Sequence, residues 1–201
     1  KFERVTGMAL EKTAKILTID DDLDTAEEIN DYLEDSGFIT LHATDAEQGL
    51  EMFVTENPDL IICDIELPSK SGIEILEEVL KDKPNLPFII VSGATSVKGA
   101  IAALKLGATD FIQKPIVEME VLEHSVCQAL EREQLIRENK EYQAKLKKSL
   151  DILEEDQVAG KSVQQRLLPE KDRVFTSGIK CTHFNIPAIY LSGDFVGYFD
   201  N

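Results

Sequence analysis

Five short runs suited to strands punctuate the first 115 positions of the chain: ILTI at 16–19, FITLH at 38–42, LIIC at 60–63, FIIV at 88–91 and DFIQ at 110–113. Between them apolar residues return every three or four positions, as in Ala26, Ile29 and Leu33 or Ile73, Leu76 and Leu80. That spacing gives a helix one buried stripe. Strands alternating with such helices predict a parallel α/β sheet. The third and fourth runs are apolar throughout, as strands covered on both faces tend to be. Thr25 with Glu28 and Thr44 with Glu47 fit capping boxes, and Gly37 and Gly107 stand where helices should end.

After Pro115 the pattern changes to a stretch of about 50 residues without proline, dense in Glu, Lys, Gln and Leu. It predicts a long helix or two in succession. Val121, Leu122, Val126 and Ala129 are placed to pack on the sheet, but beyond Leu135 the apolar positions thin to a narrow seam. Leu135, Asn139, Tyr142, Leu146, Ser149 and Leu153 follow alternating steps of four and three. Such a seam suits a two-stranded coiled coil, and a lone Asn within one is a known means of fixing register and strand number. A homodimer is therefore expected, the alternative being a solvated helix on its own protein. From Leu167 onward the segments turn β-rich, as in Ile179–Phe184, and about 35 residues are too few to bury a core of their own. The expectation is that the chain stops inside a domain.

Composition narrows the function classes. Of the 201 residues 43% are hydrophobic, enough for a core, and 38 acidic against 21 basic residues give a formal charge of −17. That charge opposes phosphate backbones and anionic lipid, so neither nucleic acid nor a membrane is an expected partner. Three scattered cysteines, Cys63, Cys127 and Cys181, argue against a disulfide frame or zinc site and for a reducing cytoplasm, with Cys63 as core packing. No apolar run is long enough to span a bilayer, and the N-terminus has no apolar signal core. Residues 1–13 are read as an N-terminal arm outside the fold, with KFERVTG before Met8 as a non-native remnant.

The chemistry starts from ILTIDDD at 16–22, where a strand runs into three adjacent carboxylates. Two such charges about 4 Å apart repel by about 4 kcal/mol at an effective dielectric of ~20, so their crowding is costly unless a cation lies between them or some of them face water or cap the next helix. Asp22 is the member expected to be solvated or to enter the helix. Open α/β sheets carry functional groups beyond the carboxyl ends of their strands. Asp20 and Asp21 end the first strand, Asp64 the third, Ser92 the fourth and Lys114 the fifth. With strand order 2-1-3-4-5, strands one and three are neighbours, and three carboxylates converge where the winding reverses.

These positions resemble the receiver domain of bacterial two-component response regulators, through Asp20-Asp21, Asp64 followed by Leu67-Pro68 and Gly72, Ser92-Gly93-Ala94, and Lys114-Pro115. The resemblance implies a flavodoxin-like, doubly wound five-stranded parallel sheet over residues 14–125. It assigns Asp64 as the phosphoacceptor, Asp21 and the backbone carbonyl of Glu66 as direct Mg²⁺ ligands, and Asp20 as holding the ion through water. Ser92 and Lys114 would contact the phosphoryl oxygens, and Phe111 would turn inward as Ser92 shifts. The donor would be a sensor histidine kinase or a histidine phosphotransfer protein. The lysine–proline bond is often cis in this family.

Residues 126–165 are then expected to be a helical coiled-coil linker, and 166–201 the start of an output domain. Leu167-Leu168-Pro169, Pro187-Ala188 and Ser192-Gly193-Asp194-Phe195 resemble the opening of a bacterial type 2C serine/threonine phosphatase, although Ser192 and Gly197 depart from its pattern. The resemblance makes Asp194 a ligand of a Mg²⁺ or Mn²⁺ pair in the complete domain. It also implies an anti-sigma-factor antagonist as substrate, and no phosphatase activity for this chain alone. Two other readings remain open: a haloacid-dehalogenase-like Mg²⁺ hydrolase, whose Asp-x-Asp pattern Asp20 and Asp22 satisfy, and a receiver serving only as a binding module.

Overall fold

The structure is a computed structural model and describes residues 14–93, 97–167, 172–174, 178 and 180–182. The first compact unit, through Arg137, is built on five parallel strands in the order β2-β1-β3-β4-β5. They are β1 (Lys15–Ile19), β2 (Ile39–Ala43), β3 (Leu60–Asp64), β4 (Phe88–Ser92) and β5 (Asp110–Gln113). The helices are α1 (Leu23–Asp35), α2 (Ala46–Glu56), α3 (Gly72–Asp82), α4 (Val97–Leu106) and α5 (Met119–Leu167). All five expected strands and their order are present, with ends displaced by no more than one residue.

The period-two alternation of strand side chains divides the core into two layers. On one face Leu17, Ile61, Cys63, Phe88 and Ile90 pack with Phe53 of α2, Ile75 and Leu76 of α3 and Ala103 of α4. On the other Ile16, Leu60, Ile62, Ile89 and Val91 pack with Ile29 and Leu33 of α1 and Leu122, Val126 and Ala129 of α5. Every residue of β3 and β4 is buried. Each large aliphatic so enclosed contributes about 1.5–3 kcal/mol relative to exposure, which makes these two strands the fixed base of the sheet.

Three local expectations are corrected. The first two helices are not capped by threonine boxes. Asp22 is the N-cap of α1, with its carboxylate accepting from the Thr25 hydroxyl at 2.7 Å, and Asp45 caps α2 by accepting from the Gln48 N–H at 2.9 Å. At α2 the aspartate side chain satisfies an open N–H group of the first turn, whereas at α1 the Asp22 side chain holds the Thr25 hydroxyl instead. A capping box forms instead at α3, where the Ser71 N–H donates to Glu74. The stripe of α3 is Ile75, Leu76 and Val79, while Ile73 and Leu80 are only partly buried. Val121 faces solvent rather than the sheet, leaving the packing to Leu122. Gly37 and Gly107 do end α1 and α4, both at positive φ, which favours glycine.

The second unit, from Glu138, holds the remainder of α5 and a small antiparallel pair, β6 (Asp172–Val174) with β7 (Lys180–Thr182). Along α5 in this unit Asn139, Tyr142, Leu146, Ser149 and Leu153 are all exposed. Leu168, Pro169, Pro187, Ala188, Ser192 and Asp194 lie outside the described residues, as does Ala94. Among the described residues no helix is long and apolar enough to cross a membrane.

Candidate functional site

The carboxyl ends of β1, β3, β4 and β5 bring the chemistry together. Pairing of β1 with β3 sets Ile19 beside Cys63, so the residues that follow, Asp20 and Asp64, leave the sheet side by side. The Asp20 N–H donates to the Ala43 carbonyl at 3.0 Å, and its Oδ1 accepts from the Asp22 N–H at 3.1 Å. Asp64 Oδ1 accepts from the Glu66 N–H at 3.0 Å. One carboxylate oxygen from each of Asp20, Asp21 and Asp64 can lie within 4.8 Å of the others, the buried Asp20 and Asp64 flanking an exposed Asp21. The Asp22 carboxylate is tied to Thr25 and is not a member of this group.

Lys114 closes the group. Its Nζ lies 2.6 Å from Asp20 Oδ2 and 2.6 Å from Asp64 Oδ2, and its backbone N–H donates to the Ser92 carbonyl at 2.8 Å. The Lys114–Pro115 bond is cis. Burial pushes the Asp20 carboxyl above its ordinary range, despite the opposing hydrogen bond from Lys114. Burial alone would lower the Lys114 ammonium, but the hydrogen bonds and charges of Asp20 and Asp64 outweigh it and hold the group above its ordinary value. One ammonium shared by two carboxylates, with a third beside them, leaves negative charge in excess. Three acidic oxygens at this separation are the hard donor set that a magnesium ion takes.

Ser92 Oγ is fully enclosed and, among the described residues, is a buried side-chain oxygen with no hydrogen-bond partner. An orphaned buried hydroxyl costs about 1–3 kcal/mol. Its place at the end of β4, which pairs with both β3 and β5, suits an acceptor brought by a ligand. Phe111, on β5, is partly buried against the layer that contains Phe88 and Ile90. Glu66 is exposed.

The fold adds supporting residues whose place at the site no motif marks. The His42 ring nitrogen lies 3.1 Å from the Asp20 carbonyl. The Asp110 carboxylate accepts from the Phe111 N–H at 2.8 Å and from the Ser125 hydroxyl of α5 at 2.6 Å, tying the strand that carries Phe111 to the last helix. Gly72 was visible as a motif residue without its reason. A Cβ there would lie 2.1 Å from the Asp64 carbonyl oxygen, so only glycine lets α3 start against the end of β3.

The family described as the response regulator receiver domain matches residues 16–126, more than half of the chain. The chain is similar to the nitrogen assimilation regulatory protein NtrX of Azorhizobium caulinodans, 36% identical over 102 residues, which are 50% of this chain and 22% of that protein. It is 32% identical over 139 residues to a cyclic di-GMP phosphodiesterase of Thermotoga maritima, covering 69% of this chain and 37% of that one. Among solved structures, a response regulator receiver domain protein from Clostridium thermocellum superposes with a TM-score of 0.58 at 35% identity, covering 61% of this chain and 98% of that one. The chain thus spans between about a fifth and about half of the length of the curated relatives it matches.

Proposed function

The chain belongs to the response regulator receiver family, and from that premise we propose that Asp64 accepts a phosphoryl group in a Mg²⁺-dependent relay and that the change is passed along α5 to an output domain. The observation that supports it most is the position of Asp64, within reach of Asp20 and Asp21 and 2.6 Å from the Lys114 ammonium. One oxygen of the Asp64 carboxylate attacks the phosphorus of a phosphohistidine or a small phosphodonor. The bond to the leaving nitrogen or oxygen breaks, and a mixed anhydride remains on Asp64. Asp20, Asp21, Asp64 and the Glu66 carbonyl are the groups that would hold magnesium, which when bound neutralises charge on the phosphoryl oxygens. Lys114 exchanges a carboxylate partner for a phosphoryl oxygen, and the Ser92 hydroxyl gains the acceptor it lacks. Phe111 then moves inward into the space that Ser92 vacates, and the Asp110–Ser125 bond carries the change in β5 to α5.

A sensor histidine kinase or a histidine phosphotransfer protein is the donor in this reading. The exposed seam of α5 pairs two chains as a homodimer. Residues 166–201 begin a type 2C phosphatase that, when complete, acts on an anti-sigma-factor antagonist with a Mg²⁺ or Mn²⁺ pair including Asp194. That output reading rests on the sequence pattern at 167–195.

Incubation with acetyl phosphate and Mg²⁺, followed by peptide mass spectrometry, tests the central step. The expected result is +80 Da on Asp64, lost on adding a chelator beforehand and abolished in Asp64→Asn. The label on Asp20 instead would favour the hydrolase reading. An α5 whose hydrogen exchange is unchanged by phosphorylation would leave a binding module without coupling.

A further inference from the structure

We propose that two copies of this chain pair through the Asn139–Leu153 face of α5 as a parallel, in-register coiled coil whose seam ends at Leu153. The inference rests on the dimer reading above and adds its direction, register and extent. Tyr142, Leu146 and Leu153 are 68%, 62% and 55% exposed, and Leu150, at 52%, widens the same stripe. Large apolar side chains repeating on one helix face are stabilised by a second helix that covers them.

Matching of the seam layers selects the direction. In a parallel, in-register pair each residue meets its own copy, so the polar Asn139 and Ser149 meet the partner's Asn139 and the partner's Ser149, and the apolar positions meet apolar ones. The flanking positions then set Glu138 near the partner's Gln143, Lys145 near the partner's Leu150 and Ile152 near the partner's Gln157, with no like charges opposed. In an antiparallel pair each layer joins residues of different position. The frame that gives Asn139 the partner's Ser149 centres on position 144 and sets Lys145 beside the partner's Lys145, two ammonium groups against each other. The next two frames toward the C-terminus draw the carboxylate of Asp156 into the seam, against the partner's Asn139 or the partner's Leu146, where a carboxylate buried without a cation is heavily penalised, and the frame toward the N-terminus sets Leu153 against the partner's Gln128 and leaves it uncovered by the seam.

Asp156 also sets the extent. It occupies the next seam position after Leu153, where a parallel pair would oppose two carboxylates, and Gly160 takes the position after that. Glycine is among the poorest helix formers. The continuous apolar seam therefore closes at Leu153, with Val163 isolated beyond these two positions, while the helix itself runs on to Leu167.

The test places a photo-crosslinking benzoylphenylalanine singly at Tyr142 and at Leu153 of the 201-residue chain, with sedimentation to read the assembly. The expected result is a dimer in which position 142 crosslinks to within one turn of the partner's position 142, and position 153 to within one turn of the partner's position 153. No antiparallel frame gives both. If two copies of one site met across an antiparallel axis, the other site, eleven residues away, would lie about 33 Å from its own copy. A dimer in which position 153 reaches residues near 135 or 142 overturns the direction but keeps the dimer. A monomer at tens of micromolar overturns the dimer reading itself. Asp156→Leu is expected to tighten the dimer about tenfold by extending the seam, and an unchanged dissociation constant would overturn the stated boundary.

Discussion

The interior of the sheet and its carboxyl edge are separated by one residue of chain and obey opposite rules. In β3 the chain passes from Leu60, Ile61, Ile62 and Cys63, all enclosed by hydrocarbon, to the carboxylate of Asp64. In β4 it passes from Val91 to a hydroxyl with no partner among the described residues. Inside, apolar faces meet apolar helices, and the one buried hydroxyl of β1, on Thr18, donates to Asn30 at 2.8 Å. At the edge two buried carboxylates share a single ammonium. The interior holds the edge residues where they would not gather by themselves, and the imbalance that results is the binding energy offered to a cation and a phosphoryl group.

The contact between the two regions is the place to break that relation with the largest effect. Gly72 begins α3 directly against the Asp64 carbonyl, and its N–H donates to the Ile65 carbonyl at 3.0 Å. In Gly72→Ala the added methyl meets backbone, which cannot rotate away, so α3 must withdraw from the end of β3. The expected cost is about 3 kcal/mol or more by chemical denaturation, with loss of phosphorylation in whatever remains folded. A stable, fully phosphorylated variant would mean that the helix start and Asp64 are not mechanically linked.

A smaller effect comes from the edge charge itself. Because burial raises the Asp20 carboxyl in the folded state, the protonated form is the one favoured by folding. Its stabilising contribution is present at pH below the unfolded value and is lost as pH rises through the raised folded value. Magnesium needs the ionised form, so affinity runs the other way and rises across that same window. Asp20→Asn should remove the pH-dependent loss, stabilise the protein at neutral pH by about 1 kcal/mol, and weaken Mg²⁺ binding at least about tenfold. Thermal unfolding and Mg²⁺ titration across pH 4–8 read both slopes. A variant less stable than the parent at pH 7 would show that the Lys114 pair outweighs desolvation.

Legibility in the sequence followed the range of each interaction. Strand positions and the residues at their ends were readable because short apolar, β-rich runs and strand-end carboxylates are local signals, while the strand order came with the family resemblance. The threonine caps were misplaced because each helix starts from a neighbouring aspartate, Asp22 three residues before Thr25 and Asp45 one residue after Thr44. The Asp110–Ser125 bond was not readable. It joins two common residue types 15 apart, and nothing in either neighbourhood marks the pair. Gly72 showed the reverse case: its position was visible, while its cause, a carbonyl from the preceding strand, needed the fold. The α5 seam was readable as a pattern because its steps of four and three are local too.

The smallest effect on stability should come from Ser92, and it separates the two regions most cleanly. If Ser92 belonged to the interior, replacing it with alanine would remove a satisfied hydroxyl and cost about 1 kcal/mol. As an edge residue whose Oγ lacks a partner among the described residues, its removal relieves an unpaired polar group, so Ser92→Ala should be neutral or stabilising by up to about 1 kcal/mol. In the proposed reaction the same substitution takes away a donor that engages the phosphoryl oxygens as the group passes to Asp64. Phosphorylation by acetyl phosphate should slow about tenfold or more, and the α5 response in hydrogen exchange should weaken with it. A variant destabilised by more than about 1 kcal/mol with unchanged phosphorylation would return Ser92 to the core. A variant equally stable but slow to phosphorylate would place the boundary between scaffold and site between Val91 and Ser92, within a single strand.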